Sequence, residues 1–362
     1  MEEQVQKAEL GVRKAWPVVI SWVGGITALI GLFATLAGGV TWLASRHSQH
    51  AERATKMALA QAQAKQAEYQ ASVQTCAEIL KADPLYRPAL DQQLSTTMLW
   101  VEDFHGRPPE GQNAADIAAP ALDQIFPILD AGLTRSTGSQ AADVQAHIGW
   151  AHYLNQLYAD REFGGPAAEQ NLRAALALDP SNVYANAMLG NWMLRNGGSF
   201  AEAIHHLDVA VSTGKVRPWV RKLQFAGLIY LDHAGARAEV VKAANDMRTS
   251  GETLGEWPRT RALSYCFDPI VTDHDELQES LSAVPPDDAW KTYLWLDHNP
   301  QPGQEDAPHP LVHDFIQANL LEISGKRQEA LEKFRPLQQE LAKQPGAMKD
   351  SVDAAMGRLS HS

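Results

Sequence analysis

The eighteen residues Arg173–Gly190, RAALALDPSNVYANAMLG, decide how this chain is read. Pro180 has no amide hydrogen to continue a helical ladder and disfavours helical geometry at Asp179, so a helix stops at Leu-Asp-Pro. Ser181 or Asn182 offers a side-chain oxygen to cap a helix that starts immediately afterwards. The stretch is a joint between two helices. Behind Pro180, Ala175, Leu172 and Ala168 fall at helical spacings. Ahead of it, Leu189-Gly190 is followed by Ala203, Leu207 and Ala210.

This layout resembles the tetratricopeptide repeat, a helical hairpin of about 34 residues whose small side chains let two helices cross closely. In that family a Leu-Gly pair marks the first helix, and an Ala, a bulky apolar residue and a second Ala mark the other. NVYANAMLGNWMLRNGGSFAEAIHHLDVAV fits with one extra loop residue, no closing Pro, and Asn186 where the family has Trp. LVHDFIQANLLEISGKRQEALEKFRPL fits again, with Gly325 at the turn and Ala330, Phe334 and Leu337 on the second helix. Fainter echoes surround Asp83-Pro84 and Gly235, and 141–160 pairs with 166–178. The segment 251–297 fits only as degenerate hairpins, while HGRPPEGQNAADIAAP and HNPQPGQEDAPHP read as polar, Pro-rich loops.

Composition agrees with helices. The 362 residues are 45% hydrophobic but only 7% aromatic, and the chain is rich in Ala. Net charge is −12, and because three bases balance three acids before residue 46, the remainder carries all of it. A phosphate-binding surface needs a basic stripe, so nucleic acid is not an expected partner. Cys76 and Cys266 are too few and too far apart for a disulfide framework or a metal site, and read as two buried thiols.

From Pro17 to Ser45 no residue is charged. A spanning helix needs about 20 apolar residues, and Trp22 and Trp42 are separated by about 30 Å of helix, which sets both rings at membrane interfaces. A single transmembrane helix over 17–45 is therefore expected. Lys7, Arg13 and Lys14 on one side tie with Arg46, Arg53 and Lys56 on the other, so charge leaves the orientation open; a short tail retained inside puts the bulk outside, beside a plasma or inner membrane. Gly24, Ala28, Gly31, Thr35 and Gly38 align small residues on one face of the span, a seam for self-association or for a membrane partner.

The expected architecture is all-α: a tail (1–16), the span (17–45), a helical stalk (46–82) of Ala, Gln, Lys and Glu, a stack of tetratricopeptide-like hairpins (83–345) forming an α-solenoid, and a carboxy-terminal tail (346–362). By the resemblance, first helices line a concave groove that takes protein or peptide partners. Helical spacing from Leu189 puts Tyr184, Asn191 and Arg195 on that groove, with Lys222 from the next hairpin. Asn191 and Arg195, both expected to be exposed, would bind a peptide backbone and a carboxylate.

Signatures of catalysis are missing. There is no GxSxG elbow, HExxH, CxxC, phosphate loop or dinucleotide fingerprint, so no metal or cofactor is expected. His205 and His206 point to different sides of a helix. The functional expectation is a non-enzymatic, membrane-anchored scaffold. Its rivals are an accessory subunit assembled through the Gly24–Gly38 seam, and a hydrolase using Cys266 or His274.

Overall fold

The computed structural model describes residues 47–104, 114–159, 166–231, 233–269, 272–297, 310–342 and 346–361. Every regular element among them is helical. The span expected over 17–45, with Gly24, Ala28, Gly31, Thr35 and Gly38, lies outside the described residues, and no helix among those described is long and apolar enough to cross a membrane. The chain divides into two compact units, Met1–Pro108 and Pro109–Ser362.

The first unit holds α1 (47–65), α2 (Tyr69–Ala82) and α3 (Arg87–Phe104). The stretch 46–82 is thus not one stalk. It turns back at residues 66–68, where Ala67 adopts φ 60° and Glu68 donates its amide to Gln63. Helix α1 then lies against α2: Ser72 Oγ donates to the Ala60 carbonyl at 2.8 Å, and Met57 packs with Ile79 and Ala89. Arg53–Asp83 at 2.8 Å and Lys56–Glu78 at 3.4 Å tie the far ends. The apolar stripe Val73, Cys76 and Ile79 gives α1 a surface to fold onto, which an isolated rod would leave wet.

The second unit begins with α4 (Ala114–Leu133) and α5 (Gly138–Leu154), the latter extended by a π-helical turn, Asn155–Ala159. Next come α6 (Ala167–Leu178), α7 (Val183–Arg195), α8 (Phe200–Ser212), α9 (Arg217–Leu231) and α10 (Ala236–Ser250). They are followed by α11 (Glu256–Phe267), α12 (His274–Ser282), α13 (Pro286–Asp297), α14 (Pro310–Ile323), α15 (Arg327–Leu341) and α16 (Ala347–His361). Helices α5 and α6, α7 and α8, α9 and α10, and α14 and α15 pair as hairpins. Helices α5, α7, α9, α11 and α13 also touch in succession, forming one layer. The expected carboxy-terminal tail contains α16, which buries Val352, Ala355 and Leu359 and packs on α15.

The opening joint follows its chemistry. Asn182 caps α7, its Oδ1 accepting from Ala185 N at 2.9 Å, while Ser181 bonds to Asp179 instead. Asn186, in place of the family's Trp, is buried; its Nδ2 donates to the carbonyls of Pro180 and Asn182, both at 2.9 Å, and its Oδ1 meets His206 Nδ1 at 2.8 Å. A Cβ on Gly190 would sit 2.8 Å from the Ala203 carbonyl oxygen and 2.8 Å from Leu207 Cγ. Gly149 repeats this, 2.8 Å from Leu172 Cγ and 3.0 Å from the Ala168 carbonyl oxygen. Both hairpins cross where only glycine fits.

Candidate functional site

The four residues expected on the groove divide. Lys222 is exposed, and among the described residues no hydrogen bond or ion pair joins it to Asn191 or Arg195. Tyr184 is 8% exposed. It belongs to an aromatic cluster with His147 (4.6 Å between ring centres) and Trp219 (5.9 Å), while Trp150 lies tilted against Trp219 at 4.8 Å. Lys215 Nζ stands 5.2 Å above the Tyr184 ring. These side chains fasten the second half of α5 to the amino-terminal turns of α7 and α9.

Asn191 is not exposed; its accessibility is 0%. The reason is Gly227 on α9. A Cβ there would lie 2.7 Å from Leu194 Cδ1 and 3.6 Å from Asn191 Oδ1, so α9 approaches α7 more closely than any larger residue allows and covers the asparagine. Spacing along α7 alone cannot show this, because the covering helix comes from another hairpin.

Burial leaves the Asn191 amide unsatisfied. Neither Oδ1 nor Nδ2 forms a hydrogen bond of good geometry among the described residues, and the amide acts on the neighbouring Tyr153 hydroxyl, opposing its upward shift. One turn on, half-buried Arg195 has no carboxylate partner among the described residues, and its Nε is buried without an acceptor. Its guanidinium acts on Tyr153 and Tyr158 instead. Burial pushes the Tyr153 hydroxyl up to about 12 and raises Tyr158, and Arg195 opposes both shifts. On the same elements, Asn155 Oδ1 and Trp192 Nε1 are also buried without partners.

Buried polar groups in folded proteins are nearly always hydrogen-bonded, and each exception costs about 1–3 kcal/mol. Of these groups Arg195 is the one left half-buried and without a carboxylate partner among the described residues, so its guanidinium is the donor an anion could reach. Tyr153, Asn155 and Tyr158 escaped the sequence reading, yet a signal was present. Gly149 to Ala168 spans 19 positions where the matching Gly190 to Ala203 spans 13, and the π-helical turn lies in that insertion. Such turns recur at functional sites.

Cys266 and His274, the residues of the hydrolase reading, keep different company: His274, lowered by burial, is set beside Arg358, Glu322, Asp275 and Asp273, and Cys266 beside Arg237, Ser280 and Glu279. Cys266 is buried and donates from Sγ to the Arg237 carbonyl at 3.8 Å, its thiol pushed up to about 12 by burial. Asp273 caps α12, accepting from Glu276 N at 2.9 Å while Glu276 reaches back to Asp273 N at 2.9 Å. Among the described residues no group of His, Cys, Asp and Glu has the spacing to hold a metal. Compared with known protein families and with curated proteins, the chain matches none.

Proposed function

We propose that the chain is a non-enzymatic scaffold, held at a membrane by residues 17–45, which binds protein partners on the layer of first helices. In this reading half-buried Arg195 takes a carboxylate of the partner, while Asn191, covered by α9, stays inside the fold behind it. One observation carries it: among the described residues, half-buried Arg195 has no carboxylate partner and stands one turn from the fully buried Asn191 amide, for which no hydrogen bond of good geometry is formed. A protein shaped only for stability replaces such groups by apolar ones. The tetratricopeptide resemblance supports the same use of the face, and the acidic balance of the chain speaks against nucleic acid.

The test is affinity capture of the full chain from gently solubilised membranes, comparing wild type with Arg195→Gln. Loss of one charge-assisted hydrogen bond costs about 1.5–3 kcal/mol, so recovery of partners should fall roughly tenfold or more at limiting concentration. Circular dichroism of both proteins should agree. Undiminished recovery would remove Arg195 from the binding surface. The same membranes test the anchor: the chain should stay in the pellet after alkaline extraction, and release into the supernatant would refute it.

A further inference from the structure

The turn between α7 and α8 reads Arg195-Asn196-Gly197-Gly198, and it holds the one Asn-Gly pair in the chain. Asn196, Gly197 and Gly198 are all exposed. Asn196 is the C-cap of α7, and its Nδ2 donates to the Trp192 carbonyl at 2.9 Å. Gly197 takes the left-handed conformation, φ 75°, and the Gly198 amide donates to the Met193 carbonyl at 2.9 Å. This is a Schellman closure with one departure. The usual second bond would run from Gly197 N to the Leu194 carbonyl, but that carbonyl meets His233 Nε2 at 2.8 Å instead. The Gly197 amide donates to no backbone carbonyl among the described residues.

These features leave the Gly197 nitrogen free to reach the Asn196 side chain. No ladder bond has to be broken first. A Cβ on Gly197 would meet nothing within 4 Å, so the turn has room to swing, and glycine supplies the conformational freedom to do so. The two reacting groups belong to adjacent residues, and attack within one molecule gains the advantage of proximity. Other asparagines nearby are placed differently. Asn182, Asn186 and Asn191 are buried and followed by Val183, Ala187 and Trp192, and Asn171 lies inside α6.

We propose that Asn196 is a site of spontaneous modification, at which attack by the Gly197 nitrogen ends in a carboxylate beside Arg195. In the first step a bond forms between Gly197 N and Asn196 Cγ, and the Gly197 proton and the side-chain amino group leave together as ammonia. Water then adds to either carbonyl of the cyclic imide and opens it, to aspartate or to isoaspartate. No oxidant or reductant is consumed. Either product carries a negative charge where a neutral amide stood.

That charge has a defined neighbour. The carboxylate is repelled from the place of Nδ2, because it would face the Trp192 carbonyl at the negative end of the α7 dipole. Half-buried Arg195 has no carboxylate partner among the described residues. Adjacent residues keep their charges within about 10 Å, the Debye length at 0.1 M salt, so the new carboxylate acts on the guanidinium and competes with an anion from outside. This consequence rests on the reading of Arg195 given above; the chemistry at Asn196 does not.

The test ages the full chain warm at pH 8, with a control kept cold at pH 5, and maps both by mass after digestion. The peptide carrying Asn196 should gain the difference between a hydroxyl and an amino group at least tenfold faster than the peptide carrying Asn171. Isoaspartate should be found in it. Asn196→Gln, whose longer side chain would have to close a larger ring, should stay unchanged. Phenylglyoxal labelling of Arg195 should be at least threefold slower in Asn196→Asp and in aged wild type than in fresh wild type. Fraying of α7 would speed that labelling, so a folding defect moves the readout the other way. An Asn196 that converts no faster than Asn171 would overturn the modification. Conversion without slower labelling of Arg195 would overturn its action on the site. Slower labelling together with undiminished partner recovery by Arg195→Gln would keep the modification and remove the partner-binding reading.

Discussion

Cys76 and Cys266 show how far single residues were legible. Their number and separation indicated buried thiols, and both are free and buried. Burial pushes Cys76 up to about 11 and Cys266 up to about 12, from an ordinary value near 9. The raised values favour the neutral thiol in the folded state. Their stabilisation is complete below pH 9; above it the unfolded chain sheds protons that the folded chain keeps, and stability is lost as pH climbs towards 11 and 12. Ellman's reagent at pH 8 should therefore label no thiol in the native protein and two after denaturation. Immediate labelling before denaturation would contradict the burial. Asn191 is the counter-example at this scale. Helical spacing sets it on one side of α7 with Tyr184 and Arg195, but its exposure was misjudged because Gly227 lets α9 cover it. Phase is a property of one helix, and burial is a property of its neighbours.

Among elements, the crossings marked by Gly190 and Gly149 were the most readable, because close approach leaves a signature in residue size. Gly190→Leu forces a side chain into 2.8 Å of space beside backbone and should cost at least about 1–3 kcal/mol, read as a lowered melting temperature. Gly357→Ala gives the contrast. Its Cβ meets nothing within 4 Å, so removing a helical glycine there should stabilise by about 0.5–1 kcal/mol. If both variants melt like wild type, the crossing is looser than described. Two elements were not readable. The turn at Ala67 uses a left-handed conformation that composition does not announce, and α1–α2 packing outweighs its local cost. Helix α4 carries Pro120 and Pro127 in its interior and begins inside a stretch that reads as a polar loop. Each interior proline costs about 3 kcal/mol, yet Leu122, Ile125 and Leu129 are fully buried at about 1.5–3 kcal/mol apiece, so packing outvotes propensity.

For the molecule as a whole, an acidic balance and a ladder of first helices were visible in the sequence, while the places where hairpins meet were not. Such a place is made by side chains from several hairpins, and repeat spacing describes each hairpin alone. The central claim is that the first-helix layer sacrifices stability around Arg195, keeping an unsatisfied amide at buried Asn191 behind a guanidinium that a partner reaches. It is tested most directly by the unfolding free energy of Asn191→Leu, a change of nearly constant volume that removes the unsatisfied amide. The account predicts a variant more stable than wild type by about 1–3 kcal/mol, because a buried polar group without a partner is replaced by an apolar one. A variant less stable than wild type would mean that the amide is satisfied within the fold, and the site would be structural.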